Sequence, residues 1–209
     1  MSSPRQPDLF DISQPRSAAT RADICVQGLA YQSDFISFQE ERTLVDAIDR
    51  APWRSDLRRR VQHYGWRYDY KARRIDRTMY LGQLPTWLDD LSTRLVTAGW
   101  FDRAPDQAIV NEYQAGQGIA PHIDCIPCFG PVVVSISLLS SVLMDFYNPA
   151  SSAVFSQLLE PRSAIVLSGA SRTAWKHGIA PRLNDTHDGL IERRRRRISI
   201  TFRTIIAST

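Results

Sequence analysis

The stretch R-I-S-I-T-F-R at residues 197–203 constrains the fold more than any other part of the chain. Along an extended strand, successive side chains point to opposite faces. Ile198, Ile200 and Phe202 therefore share one face, which must be the core face, and Arg197, Ser199, Thr201 and Arg203 share the other. A slip of one residue would bury the arginines in that core, so the register is strongly specified. On the inner side of a barrel-like sheet two arginines are costly unless each meets an anion. A dicarboxylate supplies two, and a planar guanidinium suits a carboxylate in bidentate fashion. The basic residues just before this strand, Arg193 to Arg196, are expected to be exposed.

Segments 107–113, 131–138, 141–147 and 163–168 share this β character, being rich in Val, Ile, Leu, Phe and Ser and divided by Gly, Pro and Asn. Helical signals lie upstream. Ser37 followed by Glu40 predicts a capping box opening a helix to about Arg50, with Phe38, Leu44, Val45 and Ile48 inward and Pro52 beyond its end. Pro85 opens a second helix, striped by Trp87, Leu88, Leu91, Leu95 and Val96 and stopped at Gly99. A short apolar segment, Ile24–Val26, predicts the start of the first strand. Two helices followed by many short strands imply an α+β fold, with the helices packed on a β-sandwich or jelly roll. The 209 residues are enough for one such domain, over 22–209, behind a polar, proline-containing tail at 1–21 expected to be disordered.

The histidines number four: His63, His122, His177 and His187. His122 and Asp124 form an H-x-D pair, and on a strand residues i and i+2 reach the same side. A third imidazole from a distant strand would complete a two-histidine, one-carboxylate triad, which leaves open positions on iron(II) for oxygen chemistry. His177, in the apolar W-K-H-G-I, is preferred over His187, whose N-D-T-H-D-G consists of turn formers. His63, in an aromatic stretch, is expected to pack or to face substrate.

The net charge is +4, and Lys71 and Lys176 are the only lysines. Arginine grips phosphate and stacks on bases, so nucleic acid is a candidate partner, although genomic base composition alone enriches arginine as well. Residues 53–84 combine aromatics with arginines and read as short strands and loops. No run of apolar residues is long enough for a membrane span, and no secretory signal opens the chain. Cys25, Cys125 and Cys128 do not make a disulfide framework. A cytoplasmic location follows as the expectation. Cys125 and Cys128, a C-x-x-C next to the H-x-D pair, read as small buried or loop cysteines in preference to a redox or zinc element.

Taken in order, N111-x-Y113, H122-x-D124, H177-G-I and R197-x5-R203 resemble the AlkB family of nucleic-acid dioxygenases. The resemblance covers about residues 24–206. Its aromatic region and the stretches S-I-S-L-L-S-S-V-L-M-D-F-Y-N-P and S-G-A-S-R-T-A-W-K-H-G-I look closest to the AlkB domain fused to a tRNA methyltransferase in animals. It implies a jelly-roll (double-stranded β-helix) core. It also implies iron(II) held by His122, Asp124 and His177, and 2-oxoglutarate held by Asn111, Tyr113, Arg197, Ser199 and Arg203, with O2 as the oxidant. Arg203 would lie toward the C1 carboxylate and Arg197 toward the C5 carboxylate. The family repair enzyme carries an acidic residue two positions after the metal-binding aspartate, where it reads the exocyclic amine of the damaged base. Here that position is Ile126, which puts a preference for methylated adenine and cytosine in doubt.

The function so implied is oxidative dealkylation of bases in DNA or RNA, releasing succinate, CO2 and an aldehyde. Hydroxylation of a tRNA base modification is the alternative enzyme reading, and a non-catalytic, metal-containing nucleic-acid-binding protein is the alternative of another class. Segment 53–84 would be the nucleotide-recognition lid, with Trp66, Tyr68, Arg73, Arg74 and Ile126 as its substrate-side residues. The chain is expected to act as a monomer. In the tail, Gln6-Pro7-Asp8-Leu9-Phe10 resembles the short peptide by which bacterial replication and repair proteins bind the sliding clamp, with Gln6, Leu9 and Phe10 as its contacts.

Overall fold

A computed structural model describes residues 26–55 and 58–206. The tail peptide with Gln6, Leu9 and Phe10, as well as Cys25, lies outside the described residues. The strands, in chain order, are β1 (Leu29–Gln32), β2 (Arg60–Tyr64), β3 (Gln107–Tyr113), β4 (Ile119–His122), β5 (Phe129–Leu138), β6 (Val142–Tyr147), β7 (Val154–Leu159), β8 (Ala164–Leu167), β9 (Lys176–Ile179), β10 (Asn184–His187), β11 (Leu190–Arg193) and β12 (Arg197–Ile205). The helices are α1 (Phe38–Arg50), α2 (Asp89–Thr97) and the short α3 (Gly169–Thr173). Of the segment Ile24–Val26 expected to start the first strand, only Val26 lies among the described residues, and the first described strand begins at Leu29. The chain turns through Gly28, at φ +82°, before it can extend, and Val26 packs into the core ahead of that turn.

Six strands form a major sheet in the order β1-β8-β5-β12-β3-β2, and four form a minor sheet in the order β4-β9-β6-β7. Every neighbouring pair is antiparallel. The two sheets face each other as the jelly roll of the α+β class. β12 sits in the middle of the major sheet, with Ser199 opposite Asn111 on one side and Ser137 on the other. The alternation has the expected outcome. Ile198, Ile200 and Phe202 are fully buried against the helices, together with Leu44, Ile48, Leu91 and Leu95. Val133, Met144, Phe146, Ile165 and Leu167 pack in a second apolar cluster on the sheets' inner side.

The capping box at α1 is present: Glu40 N donates to Ser37 Oγ, and Ser37 N donates to Glu40 Oε2. Phe38 departs from expectation, for it is 63% exposed while Glu41 is buried. Position 41 lies at the centre of the buried stripe and position 38 at its margin. Glu41 is tolerated there because its Oε1 accepts from the backbone N–H of Leu139 at 2.7 Å. The second helix begins with a 3-10 turn at Thr86–Leu88 before α2, and Gly99, at φ +73°, ends it.

Arg194 and Arg196 correct the expectation of an exposed basic run. Arg194 is buried and grips Asp185 with Nε and Nη2, at 2.6 and 2.7 Å. Asp185 Oδ2 also accepts from Leu143 N, so this pair ties the β10–β11 hairpin to β6. Arg196 is half-buried between Glu112 and Asp49. Paired charges of this kind can leave water because each finds a fitted partner.

The parity of β12 gives a direct test. Ile200→Ala should cost about 2–5 kcal/mol by the usual scale for a buried aliphatic truncation. Ile191→Ala, on the exposed hairpin, should stay within about 0.5 kcal/mol. Chemical denaturation midpoints measure both, and equal effects would mean that the faces are misassigned.

Candidate active site

The ends of two minor-sheet strands bring the histidines together. β4 ends on His122, and the pairing sets it directly opposite His177 on β9, with ring centroids 4.5 Å apart. Gly178 permits this approach. A Cβ there would lie 2.9 Å from Pro121 N, closer than real Cβ atoms come to backbone, and 3.0 Å from Ile119 O. His122 Nδ1 lies 2.9 Å from Ala120 O, which favours the tautomer that leaves Nε2 free as a ligand atom.

Asp124 follows on the loop after β4 and is buried. Its Oδ1 accepts from Arg203 Nη2 at 3.0 Å. Its Oδ2 is buried without a hydrogen-bond partner, 4.0 Å from His177 Nε2. Burial alone would raise this carboxyl's pKa, but Arg203, the two histidines and Arg172 outweigh it and hold the group well below the usual carboxylate range. Burial pushes His177 down to about 4 against the pull of Asp124. At neutral pH the carboxylate is therefore ionised and the imidazole neutral, the protonation states in which both bind metal. Among the described residues no three His, Cys, Asp or Glu side chains stand, as they lie, close enough together to hold a metal ion. The backbone register nonetheless sets two imidazoles beside a carboxylate with an orphaned oxygen. The donor set suits iron(II).

Across the cavity, β12 presents its inner face. Arg197 is buried, and its Nη2 donates to Ser137 Oγ at 2.8 Å. Its Nε and Nη1 are buried without partners, and burial pushes the guanidinium's pKa down to about 10. Arg203 donates from Nη1 to Gln107 Oε1 at 3.3 Å, while its Nε has no partner. Asn111, Tyr113 and Ser199 line the same cavity, which measures about 530 Å³. Two buried cations with unused donors fit a dicarboxylate, as 2-oxoglutarate is.

The sequence reading passed over Arg172. This residue of α3 is 2% exposed, and its Nη1 donates to the carbonyl of Asp124 at 3.0 Å. Its Nη2 reaches the carbonyls of Cys125 and Phe129, each at 3.4 Å. It thus clamps the backbone that carries Asp124. A lone arginine amid the small residues of S-G-A-S-R-T-A is the signal that could have found it.

The substrate-side residues divide. Tyr68 and Arg73 line the cavity, joined by Tyr70, Arg58 and Arg59, which were not singled out in advance. Trp66, Arg74 and Ile126 do not line it. Trp66 packs at a tilt against Tyr80 and against the cluster around Ile75, Arg74 turns outward to Asp76, and Ile126 is 48% exposed. Within segment 53–84, β2 belongs to the major sheet, so the part that rises over the cavity is the excursion after Gly65, closed by the bridge between Trp66 and Tyr80. His63 lies edge-on to Tyr70. His187 ends β10 at the hairpin turn, beside Asp188, and does not line the cavity. Cys125 and Cys128 are buried as expected, but their sulfurs are bonded to each other. The turn in which Cys128 N and Phe129 N both donate to Cys125 O brings their Cα atoms to 5.2 Å, within disulfide reach.

Fold and cavity together describe an oxygenase that uses a metal and a dicarboxylate. Residues 18–203 match the family described as the 2OG-Fe(II) oxygenase superfamily. The chain is 37% identical over 163 residues to "tRNA (carboxymethyluridine(34)-5-O)-methyltransferase alkbh8" of Xenopus tropicalis, a match over 76% of this chain but only 26% of that protein. It is 32% identical over 165 residues to "Probable RNA/DNA demethylase ALKBH6" of Danio rerio, covering 71% of this chain and 68% of that one. Among solved structures, OsALKBH1 superposes with a TM-score of 0.66 at 17% identity, over 85% of this chain and 96% of that one, a likeness of fold. The chain belongs to the AlkB family of iron(II)- and 2-oxoglutarate-dependent dioxygenases. It is accordingly an enzyme that requires iron(II), 2-oxoglutarate and O2, and the reading of a non-catalytic binding protein is set aside.

The clamp made by Arg172 predicts an effect on metal affinity. Arg172→Met should weaken iron(II) binding roughly 10–100-fold, as loss of the groups that orient a ligand typically does. Anaerobic iron titration of a variant whose circular dichroism matches the wild type measures it. Unchanged affinity would show that the Asp124 loop holds its shape without the guanidinium.

Proposed function

We propose that this chain oxidatively dealkylates bases in nucleic acid, with His122, Asp124 and His177 as the iron ligands and Asn111, Tyr113, Arg197, Ser199 and Arg203 around the cosubstrate. The observation that carries the proposal is the single cavity in which Asp124 and two histidines face two buried arginines with unused donors, opening among Tyr68, Tyr70, Arg58, Arg59 and Arg73. When bound, iron(II) with 2-oxoglutarate and O2 supplies the oxidation of a substrate C–H bond, with succinate and CO2 as coproducts.

The chain's own groups bind, orient and exclude water. Arg197, held by Ser137, receives one carboxylate of the cosubstrate and loses the penalty of its unpaired burial. Arg203 stands between Asp124 and Gln107, so one guanidinium fixes the carboxylate ligand and the near end of the cosubstrate relative to each other. Ile119, Phe129, Met144 and Ile179 wall the cavity and keep water from the reacting carbon. An N-alkyl carbon hydroxylated there gives a hemiaminal, whose C–N bond breaks to free the base and release an aldehyde. Tyr68 and Tyr70 offer faces for a base drawn out of its stack. The remainder of the excursion after Gly65 acts as the lid.

A second reading, hydroxylation of a tRNA base modification, draws support from the similarity to the Xenopus protein named for tRNA methylation. This chain spans about a quarter of that protein, and the match does not carry its methylating activity here. Mass spectrometry of alkylated oligonucleotides incubated with enzyme, iron(II) and 2-oxoglutarate separates the two readings. Loss of the alkyl group with release of aldehyde supports dealkylation, and gain of one oxygen on a retained group supports hydroxylation.

Two sets of variants test the site. His122→Ala, Asp124→Ala and His177→Ala should each abolish succinate formation, whereas His187→Ala should leave it intact. An inactive His187→Ala together with an active His177→Ala would overturn the ligand assignment. Arg197→Ala should weaken 2-oxoglutarate binding by about 1.5–3 kcal/mol, the range for a charged hydrogen bond. Arg195→Ala, at an exposed position before β12 begins, should not, and equal cosubstrate affinities in titration would remove the anion argument.

A further inference from the structure

The balance of charge in the cavity reaches beyond the metal and cosubstrate. Among the described residues one carboxylate, that of Asp124, lines it, against five arginines: Arg58, Arg59, Arg73, Arg197 and Arg203. Asp124 is committed to Arg203 and the histidines, and Arg197 and Arg203 to the cosubstrate. A divalent ion and two arginines set against one carboxylate and a dianion leave no negative charge to spare. What remains for a base is the side bordered by Tyr68 and Tyr70, with Arg58, Arg59 and Arg73 and, among the described residues, no lining acid to offset them.

Arginines already lie beside three of the cavity's rings. Arg59 lies 6.0 Å from the ring centre of Tyr70 and 5.8 Å from that of Tyr113, and Arg203 lies 4.7 Å from that of Phe129. Arg73 reaches the carbonyl of Ile123, beside Asp124, with Nη2 at 3.4 Å. Arg59 spends its Nε on Asn111 Oδ1 at 2.8 Å, and its two terminal nitrogens have no hydrogen-bond partner among the described residues.

Alkylated bases fall into two electrostatic classes. Alkylation of adenine at N1 or cytosine at N3 gives a cation. Alkylation of uracil at N3 or guanine at N1 replaces an N–H and leaves a neutral base with a carbonyl oxygen beside the alkylated nitrogen. Resting on the nucleic-acid reading above, we infer that the cavity takes an uncharged base that presents carbonyl oxygens and rejects a base that alkylation has made cationic. Guanidinium donors match carbonyl acceptors. A cationic base would instead face three like charges, those of the half-buried Arg59 and the exposed Arg58 and Arg73.

The test uses oligonucleotides identical except at one base: 3-methyluracil, 1-methylguanine, 1-methyladenine, 3-methylcytosine, or the unmodified parent. Affinities are measured anaerobically with iron(II) and 2-oxoglutarate at fixed salt, and oxygen is then admitted and formaldehyde measured. The neutral pair should bind at least about tenfold tighter than the cationic pair. Charge reversal, by Arg73→Glu or separately Arg59→Glu, should shrink or invert that ratio even if overall affinity drops. Cationic bases bound equally well or better by the wild type, or a ratio unchanged in both variants, would overturn the inference, and continued formaldehyde release would leave dealkylation standing. Preference for the neutral pair without formaldehyde would uphold the cavity's selectivity and sink dealkylation. No distinction from the unmodified parent and no formaldehyde would end both.

Discussion

Two guanidinium groups carried into the interior by one central strand set the terms for the rest of the structure. β12 is hydrogen-bonded on both sides, to β5 and β3. Its outer face locks into the helix-covered core through Ile198, Ile200 and Phe202. Its inner face must then carry Arg197 and Arg203 into a space with little water. Ser137, Gln107 and Asp124 satisfy part of their donor capacity and leave the remainder for a ligand. A one-residue slip would place charge in the aliphatic core, so the requirement that fixes the fold also fixes the ligand-facing atoms.

The metal half of the site is built on the other sheet. His122 and His177 come from facing positions on β4 and β9, and Asp124 from the loop between β4 and β5. That loop is held between two arginines, Arg203 from β12 through the side chain and Arg172 from α3 through the backbone carbonyls. The carboxylate stays ionised in a buried position because this positive surround outweighs desolvation, while burial keeps His177 neutral. The cavity is thus a junction of two half-sites, and Arg203 belongs to both.

Arginine serves three ends in this chain. Arg60 and Arg196 grip the buried Glu112, and Arg194 grips Asp185, which secures sheet edges and a hairpin. Arg172, Arg197 and Arg203 form the site. Arg58, Arg59 and Arg73 stand at the cavity beside the tyrosines. Abundance of arginine alone does not distinguish these ends, because a guanidinium pairs equally well with a structural carboxylate, a cosubstrate or a phosphate.

The sequence by itself determined whatever depends on local periodicity and capping. The alternation of residues 197–203 assigned both faces of β12, Ser37 and Glu40 marked the start of α1, and the order of N-x-Y, H-x-D, H-G-I and R-x5-R pointed to the family and to the residues that meet in the cavity. Strands such as β2 (R-V-Q-H-Y), β4 (I-A-P-H) and β7 (V-F-S-Q-L-L) carry no clear apolar alternation and form only against their neighbours. Tertiary structure decided the rest. It buried Arg194 by setting Asp185 beside it and exposed Phe38 by putting Glu41 under Leu139 N. It turned Trp66 away from the cavity toward Tyr80 and brought Arg172 under the Asp124 loop from a residue 48 positions away. Each of these outcomes rests on a partner distant in sequence. Whether a charged or aromatic side chain is buried, exposed or functional depends on that partner, which periodicity along the chain cannot specify.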